Sequence, residues 1–375
     1  VEAAAAGGRV HVLIGNHEAM NLLGDLRYVA IDEYRAFAAD ESQEQRDLWF
    51  AAYAGGDAAA GADADADALR QVFDEQFPAG FFAHREAFGS GGKYGSWLLE
   101  KPIMIVINGT AYVHGGVSPM IAEIGLDGVN DVLRGEMVQY VKQQELLIDA
   151  GLLLPTDSFY SHVAKLRKPR AMLTTDDVVA AAINDVIRLS ESELHSPDGP
   201  LWYRGNAACS ELVEVDRLDA SLQAIGADRV VIGHTPTNGR KVYERFDGKV
   251  IEVDTGMLNS YYEGRGNALI IAGDDVSVVN ERGKQWRSPL PHPRKVGQRP
   301  AALYDDAVEA LLATGEVIAD REDATGRRIV SISNGGQVVD AEFERRAGRG
   351  FYPQVAAYRL DRLLGLDMVP VAVKR

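Results

Sequence analysis

Short apolar runs that stop at glycine alternate along this chain with longer stretches of helical periodicity. Val10, Val12, Leu13 and Ile14 read as a buried strand ending where Gly15 turns the backbone, and Ala19–Leu23 as the first turns of a helix. Ile103–Ile107 and Ala111–Val113 predict a hairpin around Asn108-Gly109, a pair suited to a tight turn. Ser118-Pro119 starts a helix, with serine as cap and proline in the first turn. Residues 127–150 and 176–194 read as amphipathic helices, the second through Val178, Val179, Ala182, Ile183, Val186 and Ile187, and Val215–Ile225 as another helix. Val230–Ile232 is a strand, Lys241–Glu244 and Lys249–Val253 form a hairpin around Asp247-Gly248, and Asn267–Ala272 with Val276–Val279 closes the sheet. Short strands mixed with hairpins and helices predict an α/β fold, a two-layered mixed-sheet sandwich rather than a purely parallel sheet.

The stretch between His17 and His114 carries helical spacing of its own. Asp32–Tyr53 is loosely helical, and Leu69–Phe88 is a helix with Leu69, Val72, Phe73, Phe77, Phe81 and Phe82 on an aromatic face, read as core or cap packing. Between them Gly55–Ala68 is acidic, low in complexity and nearly free of large side chains; without EF-hand spacing it reads as a solvated linker rather than a calcium loop. His84 is given no role. The main domain is expected over residues 1–282, a proline-rich basic linker over 283–300 and a small α+β piece over 301–375. That piece holds a helix at Ala301–Ala313, an antiparallel pair at Ile329–Ser333 and Gln337–Ala341, a helix at Tyr352–Leu364 and a strand at Val369–Val373.

A formal charge of −16 over 375 residues argues against a nucleic-acid binder or an anionic-membrane binder. It leaves small phosphate substrates open, because bound cations reverse the local field. No apolar run is long enough to span a membrane, and the single cysteine, Cys209, forms neither an intrachain disulfide nor a cysteine zinc site. The compartment is left open. Lys165–Arg170 is the one basic cluster, a solvated turn or a guide for an acidic substrate.

The chemistry concentrates at three strand ends. Gly15-Asn16-His17-Glu18, His114-Gly115-Gly116 and Gly233-His234-Thr235-Pro236 each deliver Asn or His beside glycine. Carboxyl ends of strands are where open α/β sheets bind ligands. An amide oxygen and imidazole nitrogens suit borderline metal ions, and glycine admits close backbone approach. The plainer alternatives are an Asn16 helix cap and histidines satisfied in core or cap positions.

These blocks, with His114-Gly115-Gly116-Val117-Ser118-Pro119 in full and Pro200-Leu201-Trp202-Tyr203-Arg204-Gly205 and Asp254-Thr255-Gly256-Met257 in the same order, resemble the calcineurin-like metallophosphoesterases, in particular the bacterial-type, Shewanella-like branch of the phosphoprotein phosphatases. The resemblance runs over roughly residues 8–275, and it implies that the stretch between His17 and His114 is a helical insertion over the site mouth. It implies a phosphoester hydrolase, a Ser/Thr- or Tyr-type phosphomonoesterase with a hydroxide held between two metal ions (manganese, iron or zinc). Asn16, His114 and His234 would ligate metal, and Asn16 would also touch phosphate. His17 would protonate the leaving oxygen and Arg204 would clamp the phosphoryl group, its planar fork of donors matching phosphate bidentately. Glu18 and Asp254 would stand behind these residues, although Glu18 also reads as a local helix cap.

The family's Asp-x-His and Gly-Asp-x-x-Asp-Arg-Gly blocks are expected before Val1, so the residues present encode about half of such a site. Two other readings follow: a phosphodiesterase or dinucleoside-polyphosphate hydrolase on the same scaffold, or a catalytically silent interaction domain. The C-terminal segment, with Ala356-Ala357-Tyr358-Arg359-Leu360-Asp361 on its helix, resembles the start of a kinase-like N-terminal lobe.

Overall fold

The computed structural model describes residues 2–55, 66–168, 174–209, 211–237, 239–273, 275–283, 285–287, 289–291, 305–322, 327–334, 338–343, 352–364 and 369–375. Most of the expected acidic linker 55–68, part of the Lys165–Arg170 cluster and most of the 283–300 linker lie outside these residues. The chain divides into two units, one of Val1–Ala208 with Arg217–Leu290 and one of Cys209–Asp216 with Pro291–Arg375.

The first unit is built on a mixed sheet. β1 (Met104–Ile107) and β2 (Thr110–Val113) pair antiparallel through Asn108 and Gly109, whose φ values of 49° and 73° make the left-handed turn that this dipeptide favours. β3 (Arg229–Ile232) lies parallel to β2, and β5 (Val250–Glu252) parallel to β3. β4 (Tyr243–Arg245) returns antiparallel on β5, so β2, β3 and β5 all point their carboxyl ends the same way.

Val10–Ile14 does not join the sheet as a strand. Val10 is exposed, and the backbone tie of this extended segment is Ile14 N–H to Pro102 O at 3.1 Å. Nor do the late strands close the sheet. β6 (Asn267–Ala272), β7 (Asp275–Asn280) and β8 (Gln285–Arg287) form a separate antiparallel sheet. Its alternating side chains Leu269, Ile271, Val276 and Val278 pack with Val231, Val242 and Ile251 in one hydrophobic core.

Helices flank the sheet. Pro119–Asp149 runs 31 residues with Ser118 at the N-cap position, but the Ser118 hydroxyl makes no cap bond. Gly125, at φ 68° and ψ −175°, breaks this helix, so the regular amphipathic part begins near residue 127 as the spacing predicts. Leu133, Met137, Tyr140 and Val141 are buried on it, and the helix Asp177–Leu189 packs against it through Ala182, Ile183, Val186 and Leu189. Asp176 caps that second helix, its carboxylate accepting from Val178 and Val179 N–H. The helix expected at Val215–Ile225 spans Glu211–Ala224.

The insertion is helical, in Ile31–Arg35, Gln43–Ala54, Ala66–Gln76 and Phe81–Ala87. The single helix expected over Leu69–Phe88 is two, because Pro78 cannot continue the first and Gly80, at φ 90°, turns into the second. Its aromatic face does pack as a core: Tyr34, Phe73, Phe81 and Phe82, with Trp49, Phe50, Tyr53 and Phe77 partly buried around them.

In the second unit β9 (Glu316–Glu322), β10 (Arg328–Ser333) and β11 (Val338–Glu342) form an antiparallel sheet. Val330 and Ile332 pack with Val308, Leu311 and Leu312 of the helix Asp305–Thr314. Tyr358 of the helix Pro353–Leu364 donates to Glu309 at 2.7 Å. β9 escapes the hydropathy pattern because all seven of its residues are exposed. The strand expected at Val369–Val373 makes no ladder pairing among the described residues, although Val371 and Val373 pack against the core.

Candidate functional site

Parallel pairing sets the centre of the site. Val113 of β2 stands opposite Ile232 of β3, so the next residues, His114 and Gly233-His234, emerge side by side, and Gly233 N–H donates to His114 O at 2.9 Å. The first block arrives from the Ile14–Pro102 tie, with Asn16 as the first residue of the helix Asn16–Leu23. Three atoms then converge. His114 Nε2 lies 2.6 Å from Asn16 Oδ1 and 3.2 Å from His234 Nδ1, and His234 Nδ1 lies 3.2 Å from Asn16 Oδ1. His234 takes a left-handed φ of 63°, a conformation costing a non-glycine residue about 1–2 kcal/mol. Strain of this kind persists where the surrounding structure enforces it.

Glycine is required where these loops touch. A Cβ on Gly15 would stand 2.6 Å from Glu18 Oε2 and 2.9 Å from His114 Nδ1. A Cβ on Gly115 would stand 2.7 Å from the Pro200 carbonyl oxygen, which accepts from both Gly115 and Gly116 N–H. Glu18 accepts from Gly15 N–H at 3.0 Å, which is the local-cap geometry. Asp254 accepts from Gly256 N–H through its carboxylate and from Thr237 N–H through its carbonyl, both at 2.9 Å, tying the last block to the third.

Burial disfavours the charged form of both imidazoles. His234 is pushed down to about 3, mainly by burial and then by the charge of Arg204, with His114 and His17 adding to it. His114 is lowered by burial, with His17 and Arg204 acting the same way and Glu18 and Asp254 opposing. These influences place Arg204, His17, Glu18 and Asp254 within electrostatic reach of the paired histidines. Arg204 is exposed, with Nη1 donating to Trp202 O at 3.4 Å. His17 is exposed in the first turn of the Asn16 helix, outside the tight triad.

The donor set of one amide oxygen and two neutral imidazole nitrogens fits part of one coordination shell for a borderline metal ion. His234 Nε2, by contrast, is buried without a partner. Among the described residues no three His, Cys, Asp or Glu side chains cluster as a metal site would require. Glu252 is a further perturbed group nearby on β5, its carboxyl pushed up to about 7 by burial against the pull of Arg245.

Several supporting residues carry no motif signal. Asn206 is fully buried, and its Oδ1 accepts from Val117 N–H at 2.7 Å, holding the loop after His114. Its own carbonyl accepts from Arg245 Nη1 at 2.6 Å. Trp202 meets the His234 ring edge to face at 5.7 Å, with its indole N–H on Leu194 O. Tyr28 stacks on His17 at the rim of an open cleft of about 210 Å³ lined by His17, Glu18, Asn21, Asp25, Tyr28 and Glu33. The run Trp202-Tyr203-Arg204-Gly205 marks only the arginine; Asn206 reads from sequence as an ordinary loop polar residue.

Mixed α/β architecture with chemistry gathered at the carboxyl ends of its parallel strands is the class that these features define. No family model matches the chain. An uncharacterised protein of Schizosaccharomyces pombe, C1840.07c, is 24% identical over 283 residues, covering 74% of this chain and 60% of that protein. Shewanella-like protein phosphatase 2 of Arabidopsis thaliana is 29% identical over 146 residues, covering 36% of this chain and 35% of the plant protein. The chain thus spans less than two thirds of the length of these curated relatives. Among solved structures, the cold-active protein-tyrosine phosphatase of a psychrophile Shewanella species is 25% identical, covering 76% of this chain and 60% of that one, with a TM-score of 0.43. A second structure, of cold-active protein tyrosine phosphatase at 1.1 Å, is 24% identical, covering 76% of this chain and 59% of that one, with the same TM-score.

Proposed function

We propose that this chain belongs to a metal-dependent phosphoester hydrolase acting on phosphomonoesters, in the manner of the Shewanella-like phosphatases, with phosphorylated protein or small molecules as substrate. The observation that carries the proposal is the convergence of Asn16 Oδ1, His114 Nε2 and His234 Nδ1 within 3.2 Å of one another, from three blocks far apart in sequence. The phosphatase relative in plants, similar over part of the chain, supports the reaction class. The two-layered sandwich expected from sequence belongs to the same reading, supported by the shared core of the two sheets.

Asn16, His114 and His234 would hold a metal ion, with manganese, iron or zinc suited to that donor set and a second ion belonging to the same reading. When bound, such ions supply Lewis-acid polarisation of the phosphoryl group. The chain's own residues do the rest. Neutral His114 and His234 keep their lone pairs available, because burial disfavours their protonation. Arg204, exposed at the site edge, holds phosphoryl oxygens as charge shifts during transfer. His17, exposed beside the triad, hands a proton to the departing oxygen. Asn16 would both ligate the ion and touch the phosphate.

The test is turnover and metal content measured together on wild-type protein and His17→Ala, supplied with manganese, iron or zinc. His17→Ala should lose about 10²-fold or more in kcat, the scale of general acid catalysis, while retaining its metal. Loss of metal with activity would make His17 a ligand instead. Hydrolysis of cyclic nucleotides or dinucleoside polyphosphates with no action on phosphopeptides or aryl phosphates would overturn the monoester assignment. Failure of wild-type protein to bind metal or cleave any phosphoester would overturn the proposal.

A further inference from the structure

A ladder of stacked groups leads away from His17. The Tyr28 ring lies parallel to the imidazole, 8° between planes and 5.1 Å between centroids. The Arg27 guanidinium sits 5.3 Å from the Tyr28 ring centre and 4.9 Å from that of Tyr160, and it donates to the Tyr160 hydroxyl at 2.7 Å. The anchor is Asp25, whose side chain is 1% exposed. Its carboxylate takes Arg27 Nε at 3.0 Å and the Tyr160 hydroxyl at 3.2 Å. Asp25 follows Gly24, the left-handed C-cap of the Asn16 helix, and Phe159 N–H donates to Gly24 O at 3.2 Å. The two ends of that helix are thereby linked across its solvent side: His17 from the first turn, Tyr28 from the loop after the cap.

Tyr28 is 61% exposed and Tyr160 58% exposed, so neither is held by burial in a core. What orders them is the buried Asp25 and the guanidinium between the rings. Among the described residues no side chain hydrogen-bonds the His17 ring, and the Tyr28 stack is a contact that restricts its orientation.

We propose that Tyr28 is a positioning residue for His17, fixing the imidazole orientation from which the leaving oxygen is protonated, and that Arg27 and Asp25 hold Tyr28 in place. This rests on the hydrolase reading of the site. A proton donor matters most where the leaving oxygen is strongly basic, and little where it departs readily as an anion. A residue that only supports the fold, or only binds substrate, does not distinguish the two.

The experiment compares wild-type protein, Tyr28→Ala, Tyr28→Phe, His17→Ala and the double variant His17→Ala/Tyr28→Ala on phenyl phosphate and 2,4-dinitrophenyl phosphate. Misplaced catalytic groups cost up to about 10²-fold, so Tyr28→Ala should lower kcat on phenyl phosphate about tenfold or more, and on the dinitrophenyl ester less than about threefold. Tyr28→Phe, which keeps the stacked ring, should restore wild-type behaviour, and the double variant should equal His17→Ala. In proton NMR the His17 Hε1 resonance should move when Tyr28 becomes alanine and stay when it becomes phenylalanine. Equal slowing on both esters, a change in KM alone, or an unmoved His17 resonance in Tyr28→Ala overturns the positioning role while leaving the hydrolase reading intact. A wild-type chain that cleaves neither ester overturns the hydrolase reading and this inference with it.

Discussion

Replacing Glu252 by glutamine should remove a pH dependence from folding. Glu252 sits on β5, opposite Ile232 of β3 on one side and Tyr243 of β4 on the other, and is 4% exposed. Burial disfavours its charged form and raises the carboxyl from 4.5 to about 7, against the attraction of Arg245. A carboxyl that holds its proton more tightly folded than unfolded gives most stability at low pH. Stability is full below about 4.5, falls as pH rises from there to about 7, and is level above that. At about 1.4 kcal/mol per pH unit the whole span is worth about 3 kcal/mol, of which about 2 kcal/mol falls between pH 5 and pH 8. Glutamine has no proton to lose there. Urea unfolding followed by tryptophan fluorescence on both proteins at pH 5, 6.5 and 8 measures the gap between them. The gap should shift in favour of Glu252→Gln by about 2 kcal/mol from pH 5 to pH 8. A gap that stays constant, or shifts towards wild type as pH rises, refutes the assignment of a raised carboxyl to Glu252.

Two further outcomes follow from packing. Phe73 is fully buried at the centre of the insertion's aromatic cluster, and Phe73→Ala should cost about 3–5 kcal/mol in unfolding by urea or heat. Asn206→Ala leaves the Val117 N–H, which the Asn206 amide now satisfies, buried without its acceptor. It should cost about 1–3 kcal/mol and weaken metal retention through the His114 loop, read by unfolding and by metal analysis on one preparation.

Much of the candidate site's geometry was legible because strand ends announce themselves: an apolar run that stops where a glycine and a polar side chain stand together. His114 and His234 meet because β2 and β3 run in parallel register, and the same run-and-stop pattern marks both strands. Val10–Ile14 carries the same pattern yet makes no ladder, because strand pairing depends on a neighbour that an alternating sequence cannot specify. For the same reason β6 and β7 have the hydropathy of core strands but build a sheet of their own. β9 was invisible because none of its residues is buried. Tyr28 and Asn206 were missed on different grounds. The first earns its place through a stack with His17, the second through one buried hydrogen bond, and neither leaves a periodic trace.

The aromatic cluster of the insertion draws all its members from residues 26–82. That interior is therefore supplied by one contiguous stretch of chain, which closes over its own aromatic residues. Arg85 Nη1 on the Asn21 carbonyl and Ser90 N–H on the Glu145 carboxylate tie the stretch to the helices beside it. Lengthening the turn between Arg35 and Gln43 would leave the registration of β2 on β3, which brings His114 to His234, intact.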